Sequence, residues 1–143
     1  VSEDQHNQDR DDSLAEAVRS VAHQLRRISV ESLAHWEVSP SQSRALRVVT
    51  RCGPIRLTEL SEHLRVAPRS ATEVVDDLQA KGLVERRPDP QDRRATLVAV
   101  TEHGIAVGQA IRLAQGAETE RLFDRLSATD RAHLARILRK LRA

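Results

Sequence analysis

Residues 68–101, PRSATEVVDDLQAKGLVERRPDPQDRRATLVAVT, carry an apolar rhythm that changes once, and the change decides the fold. Ala71, Val74, Val75 and Leu78 recur at steps of three, four and seven residues, the stripe of one helical face. Pro68 suits the first helical position and Gly82 the C-terminal cap, so the spacing predicts a helix over 68–81. Leu83 to Arg87 then reads as a short strand, Pro88 to Asp92 as a turn, and Arg93 to Thr101, rich in β-branched residues, as a second strand. A helix followed by a hairpin with a charged tip is the result.

Working outward, Thr58 is placed to cap a short helix holding Leu60 and Leu64, joined to the helix at Pro68 by a tight turn. Ser39-Pro40-Ser41-Gln42 combines an N-cap serine, an N1 proline and an N3 glutamine, and opens a helix carrying Ala45, Leu46, Val48 and Val49 that stops at Gly53-Pro54. Ser13 and Glu16 form a capping box ahead of Leu14, Val18, Val21, Leu25 and Ile28, so a long amphipathic helix is expected over 13–34. Its 3.5-residue seam suits packing against another helix, a second subunit's included. Thr101 precedes a helical stretch with Ile105, Gly108, Ile111 and Leu122, and Ser127 opens a last helix with Leu134, Ile137, Leu138 and Leu141. Residues 1–12, acidic and without apolar periodicity, read as a flexible tail.

Three helices and then a two-stranded hairpin is the order of a winged helix-turn-helix, whose second paired helix lies in a major groove. The expected fold class is mainly α with a small β-hairpin. The divisions are an acidic tail over 1–12, an N-terminal dimerisation helix over 13–37, a winged helix-turn-helix over 38–101 and C-terminal dimerisation helices over 102–143.

At 143 residues the chain suits one domain or two small lobes. Lys and Arg number 23 against 21 Asp and Glu, so the net charge of +2 does not announce a nucleic-acid partner, and the distribution of charge must decide. Trp36 and Phe123 are the only aromatics, which argues against stacking on single-stranded bases. The one cysteine, Cys52, precludes an internal disulfide, and no apolar run approaches a membrane span, so the expectation is a cytoplasmic protein with no membrane partner.

Around the predicted helix over 68–81, Arg69, Glu73 and Asp76 point outward, flanked by Ser70, Thr72 and Asp77. Asp76 and Asp77 would repel phosphates if the helix lay flat in a groove, so insertion by its N-terminal end is expected, where free N–H groups and the dipole favour phosphate. At the hairpin tip one of Arg93 and Arg94 is expected to pair with Asp92 while the other projects toward a minor groove. The plain alternative is a solvated hairpin with a surface ion pair of little energetic weight.

The segment Leu57 to Gly104, with ELSEHLRV and ATEVVDDLQAKGLVERRPDPQDRRATLVAVTEHG, and the lead-in SPSQSRALRVV resemble the multiple antibiotic resistance regulator (MarR) family. DPQDRR followed by a strand and VTEHG is the most specific part. The resemblance implies a homodimeric transcription regulator, held together by its terminal helices, that binds a pseudo-palindromic double-stranded DNA operator. It puts DNA contacts on Arg69, Ser70 and Thr72 and on Arg93 or Arg94, with Asp92 as the wing's organising carboxylate. Glu73 stands where many members have arginine, so the base preference at that position does not carry over; a carboxylate accepts from cytosine N4 and repels phosphate.

Many members respond to a small aromatic or anionic effector, and His23, His35, Trp36, Arg44 and Arg47 are the candidate walls of such a pocket. The bland reading is that Trp36 and the histidines pack at a helix end. Cys52 is read as a buried or inert thiol. The six histidines lack ligand spacing, so neither metal nor cofactor is expected, and no G-x-S-x-G or phosphate-binding glycine loop supports an enzyme. A repressor released by a ligand is the leading expectation. The rival is a winged-helix protein-interaction module, suggested by Glu73, Asp76 and Asp77.

Overall fold

The computed structural model describes the backbone of residues 2–142 and the side chains of residues 13–142. The elements are α1 (Ser2–Ala34), α2 (Pro40–Cys52), β1 (Ile55–Arg56), α3 (Leu57–Leu64), α4 (Pro68–Ala80), β2 (Val84–Asp89), β3 (Asp92–Val100), α5 (Glu102–Phe123) and α6 (Ala128–Arg142). Two compact units divide the chain, Ser29–Leu113 and a second made of Val1–Ile28 with Ala114–Ala143.

Side-chain caps open α2, α5 and α6 where the sequence places those starts, whereas α1 runs through Ser13 and Glu16, which therefore do not begin it. Ser39 Oγ accepts from the Gln42 N–H at 3.1 Å and Gln42 Oε1 accepts from the Ser39 N–H at 3.1 Å, which satisfies two amides at the head of α2. Thr101 Oγ1 accepts from the Gly104 N–H at 2.9 Å and donates to the Gly82 carbonyl at 2.6 Å, so the start of α5 is fastened to the end of α4. Gly82 itself has φ 73°, the left-handed turn that releases the chain from α4 toward β2.

In the unit Ser29–Leu113 the core is aliphatic. Ala45, Leu46 and Val49 of α2, Leu60 and Leu64 of α3, and Ala71, Val75 and Leu78 of α4 are buried, together with Ile55, Leu83, Val84 and Val98 of the sheet region. Val74, expected in the buried set, is only partly covered.

The sheet has three antiparallel strands in the order β1-β3-β2. Ile55 faces Val98 and Arg56 faces Leu97, while β2 pairs with β3 from Val84 opposite Val100 to Asp89 opposite Asp92, with a bulge between Pro88 and Asp89. Three expectations change here. A third strand exists that two residues could not reveal by periodicity. Thr58 is not a cap, because pairing with β3 holds Arg56 extended and the chain enters α3 at Leu57; the Thr58 carbonyl instead accepts from Ser61 Oγ at 2.7 Å. The tip turn shrinks to Pro90-Gln91 as the strands extend to Asp89 and Asp92.

Asp89 is 8% exposed, yet its carboxylate is fully engaged. Oδ1 accepts from the Gln91 N–H at 2.9 Å, and Oδ2 accepts from Arg56 Nε at 2.8 Å and Nη2 at 2.7 Å. The Gln91 N–H first, and the Arg56 guanidinium next, hold the Asp89 carboxyl below the usual carboxylate range. Asp89 in turn raises the Arg56 guanidinium above its ordinary value.

In the second unit, Arg131 closes the corner between α5 and α6. Its guanidinium donates to the Phe123 carbonyl at 3.0 Å, to Glu120 at 3.2 Å and to Asp124 at 2.7 Å. Apolar side chains on α1 and α6 stay uncovered in the single chain, Leu14 at 64% and Leu141 at 73% exposure with Val18, Val21, Ile137 and Leu138 beside them in kind. The helix α1 also continues back to Ser2, where an irregular tail was expected for 1–12. No Gly or Pro interrupts that stretch, and extending an existing helix is far easier than starting one. The side chains of the expected acidic tail lie outside the described residues.

Two outcomes test these contacts. A Cβ at Gly104 would overlap the Leu83 carbonyl oxygen and come 2.8 Å from Val100 Cγ2, so Gly104→Ala should destabilise the protein by about 1–3 kcal/mol in denaturant titration. Because Asp89 has a lowered pKa, its stabilisation is complete above the unfolded carboxylate value near about 3.9 and is lost as pH falls through the folded value. Thermal melts of wild type and Asp89→Asn should therefore differ at neutral pH and converge in acid; parallel curves would remove the linkage.

Candidate nucleic-acid interface

The chemistry of this chain gathers at one end of α4 and at the tip of the β2–β3 hairpin. Pro68 occupies the first turn of α4 and Ala67 stands at the N-cap with no side chain able to accept, so the first-turn N–H groups lack a side-chain cap. Such an end attracts anions, since free donors and the dipole point the same way. Arg69 extends from it with its side chain 92% exposed, and Arg69 Nε lies 3.6 Å from Glu73 Oε1, one turn on. Thr72 Oγ1 donates back to the Pro68 carbonyl at 3.0 Å.

Ser70 lies on the other flank of this end, on a groove of about 290 Å³ lined also by Pro40, Ser41, Arg44, Leu64, Val66 and Val74. Arg44 Nη2 donates to the His63 carbonyl at 3.2 Å, which ties α2 to the end of α3. Between α3 and α4, Arg65 adopts φ 54° and is exposed.

The acidic residues farther along α4 have partners. Arg86 of β2 pairs with Asp76 at 2.6 Å and donates to Gln79 Oε1. Asp77 Oδ2 accepts from Gln42 Nε2 of α2 at 3.2 Å, and Lys81 Nζ donates to Gln42 Oε1 at 2.8 Å and to the Glu37 carbonyl. Asp76 and Asp77 thus serve as links from α4 to β2 and α2. Their exposure was legible at helical spacing; their partners, ten and thirty-five residues away, were not.

At the tip, Asp92 Oδ1 accepts from the Arg94 backbone N–H at 3.0 Å. The expected pairing of a guanidinium with Asp92 is corrected: among the described residues neither Arg93 nor Arg94 pairs with a carboxylate, since the Asp92 oxygen is taken up by a local turn. Both side chains lie on the exposed part of β3. The buried carboxylate of the hairpin is Asp89, which sequence reasoning treated as a turn residue, and its partner Arg56 carried no signal at all.

The candidate pocket residues are dispersed. His23 belongs to the second unit. The rings of His35 and Trp36 stack edge to face with centroids 4.9 Å apart at 85°, Trp36 packing on the core. Arg44 lines the groove beside Ser70, whereas Arg47 lines a separate hollow of about 20 Å³ with Ser43, Leu46, Thr50, Ile105, Gly108 and Arg112. That hollow has room for little more than one water. Cys52 is exposed, not buried, because it falls on the solvent side of the last turn of α2. Among the described residues no group of His, Cys, Asp and Glu could hold a metal, and no helix is long and apolar enough to cross a membrane.

Comparison with known proteins agrees with this geometry. The pattern of the MarR family matches residues 38–96, from just before α2 into β3. An HTH-type transcriptional regulator of Mycobacterium tuberculosis is 34% identical over 119 residues, covering 83% of this chain and 78% of that protein. The multiple antibiotic resistance protein MarR of Salmonella typhimurium is 30% identical over 110 residues, 76% of each chain. The crystal structure of wild-type Escherichia coli MarR in its apo form aligns with a TM-score of 0.77 at 29% identity, covering 90% of this chain and 95% of that one. With a wing on β2–β3, a helix pair α3–α4 and relatives of this similarity along most of its length, the chain belongs to the MarR family of winged helix-turn-helix transcription regulators.

Proposed function

We propose that the protein acts as a homodimer that clamps a pseudo-palindromic operator, each subunit inserting the N-terminal end of α4 into a major groove and its wing into the flanking minor groove. The observation that carries this reading is the pair of exposed wing-tip guanidinium groups that meet no carboxylate among the described residues, together with the arginine-bearing start of α4, which has no side-chain cap. Arg69, Ser70, Thr72 and Glu73 form the major-groove set, and Arg93 and Arg94 the minor-groove set, with Asp92 shaping the tip. The uncovered apolar residues of α1 and α6 support dimerisation, because exposed aliphatic side chains on two helices of one unit favour burial against a second copy.

A protein clamped across a promoter excludes polymerase, which favours repression. Relief by a small aromatic or anionic effector remains part of the reading, and Arg47 and Arg112 beside Ser43 and Thr50 supply the cationic and hydroxyl groups an anion would need once the hollow widens. No catalytic step is assigned, and the working compartment is the cytoplasm, where an operator is found. The rival, a protein-interaction module, drew on the acidic side of α4; the pairing of Asp76 with Arg86 and of Asp77 with Gln42 weakens it.

Selection of bound duplexes from a random-sequence pool, followed by binding at several salt concentrations, is the direct test. Affinity should fall steeply with salt, and half-sites should lie about one helical turn, ~10 base pairs, apart. Binding that is weak and indifferent to salt would favour the protein-interaction reading.

Replacing Arg93 and Arg94 together by Ala should weaken binding with little loss of folding and lower the salt slope by about 0.9 per lost phosphate contact. Unchanged affinity and slope would return the wing to a solvated hairpin. Arg69→Ala should lose about 1–3 kcal/mol chiefly on the selected duplex, as expected for a reader of guanine O6 and N7. Glu73, 3.6 Å from Arg69, orients that reader and repels loosely held phosphate, so Glu73→Gln should bind random DNA more tightly and shrink the ratio of specific to random affinity. Equal affinities for both duplexes in Glu73→Gln and wild type would leave Glu73 as a solvated bystander.

A further inference from the structure

We propose that Arg56 is a positioning residue for DNA binding, which sets the wing arginines against the duplex through Asp89 without itself touching nucleic acid. The inference rests on the reading above that Arg93 and Arg94 meet DNA, and it concerns how they are held there.

The hairpin is a lever. β1 pairs with β3 only at Ile55 and Arg56, opposite Val98 and Leu97. From Thr96 outward to Asp92 β3 has no partner on its β1 side, and β2 carries the hairpin only two residues past the Arg87–Leu97 pair, about 7 Å at ~3.3 Å per residue, to Asp89 opposite Asp92. A two-stranded ribbon of this kind twists readily, and the bulge between Pro88 and Asp89 interrupts its ladder where the lever begins. A twist of about 20° at the root would move Asp89 and the turn beyond it by about 2 Å, enough to break a hydrogen bond.

One interaction opposes that swing. Among the described residues, the Arg56–Asp89 pair is the single side-chain hydrogen bond or ion pair joining residues 88–96 to the rest of the chain. Arg86 meets Asp76 nearer the root, and Arg87 pairs with Glu85 inside its own strand. Arg56 stands where β1 ends and α3 begins, so its guanidinium is fixed to the helix pair that carries α4. Asp89 is the last residue of β2 and its other oxygen fastens the Gln91 N–H of the tip turn. The pair therefore links the helix-turn-helix to the turn that presents Arg93 and Arg94. Both Nε and Nη2 of Arg56 are committed to Oδ2, which leaves a carboxylate, not a phosphate, as the partner the geometry serves. A nearly buried carboxylate is a poor way to gain stability and a good way to specify one arrangement, because only one direction of approach satisfies it.

The experiment uses the full chain and a duplex selected from a random pool by the wild-type protein. Arg56→Ala and Asp89→Asn, the latter nearly isosteric and chosen to keep the fold, should each weaken binding about tenfold, as for loss of one charge-assisted hydrogen bond. The double variant should be no weaker than either alone. Hydroxyl-radical protection should fade over the flanking minor grooves and persist over the major-groove half-sites. Both single effects should vanish when Arg93 and Arg94 are already Ala, and Arg56→Lys should recover part of the loss. If Arg56→Ala still weakens binding in that wingless background while Asp89→Asn does nothing, Arg56 contacts phosphate and the proposal is overturned. If the Arg93 and Arg94 changes weaken binding but Asp89→Asn leaves affinity and footprint intact, the positioning role alone fails. If the Arg93 and Arg94 changes have no effect, the wing reading fails and the inference falls with it.

Discussion

The burial of Val75 and Leu78 in one core with Leu60, Leu64, Val49 and Val84, with Ala71 buried on the same stripe of α4, sets how that helix presents its outward side chains. Three small or medium aliphatic residues at steps of four and three make a narrow stripe, so α4 is clamped on one side and free on the other. Its rotation about its own axis is thereby set, and with it the outward placement of Arg69, Glu73 and Asp76. Replacing one of these core residues by a smaller one leaves a cavity costing about 2–5 kcal/mol for leucine, much of the stability of a small domain. A shift of α4 would also disturb Arg86 and Gln42, which hold its carboxylates.

Charge is divided between work and structure in a consistent way. The exposed arginines Arg69, Arg93 and Arg94 have no carboxylate closer than the 3.6 Å Arg69–Glu73 approach among the described residues, whereas Arg56, Arg86 and Arg131 are each engaged at 2.6–2.8 Å. A guanidinium already committed to a short bidentate or paired contact has little left for phosphate, while an exposed one retains its forked donors. A balanced composition is thus compatible with a nucleic-acid-binding surface, since Asp76, Asp77 and Asp89 are engaged in internal links while Arg69, Arg93 and Arg94 stay exposed.

The two units differ in kind. Ser29–Leu113 has a closed aliphatic core and carries the exposed Arg69, Arg93 and Arg94, while α6 has no buried residue and α1 shows Leu14, Val18 and Val21 to solvent in the single chain. In the proposed homodimer, helices with so little core of their own would gain stability from the partner surface, which couples dimerisation to folding of that unit.

Helix existence was legible because capping residues and 3.6-residue periodicity act over a few positions: Ser39 with Gln42 forms the cap its spacing promised, and Thr101 and Ser127, expected ahead of the last two helices, cap them through the Gly104 and Asp130 N–H groups, whereas α1 runs through the start expected at Ser13. The hairpin and the exposed arginines were legible for the same local reason, since alternation, turn residues and helical phase need no knowledge of distant chain. The sequence by itself determined the winged helix-turn-helix order, the outward set on α4 and the charged tip. Only the tertiary structure decided that Arg56 forms a third strand instead of leading to a Thr58 cap, that Asp89 is the wing's buried carboxylate, and that Asp76 and Asp77 are links to β2 and α2. Each of those outcomes joins residues ten to forty-three positions apart, Ile55 with Val98 among them, and a pairing across such a separation leaves no periodic trace in either segment.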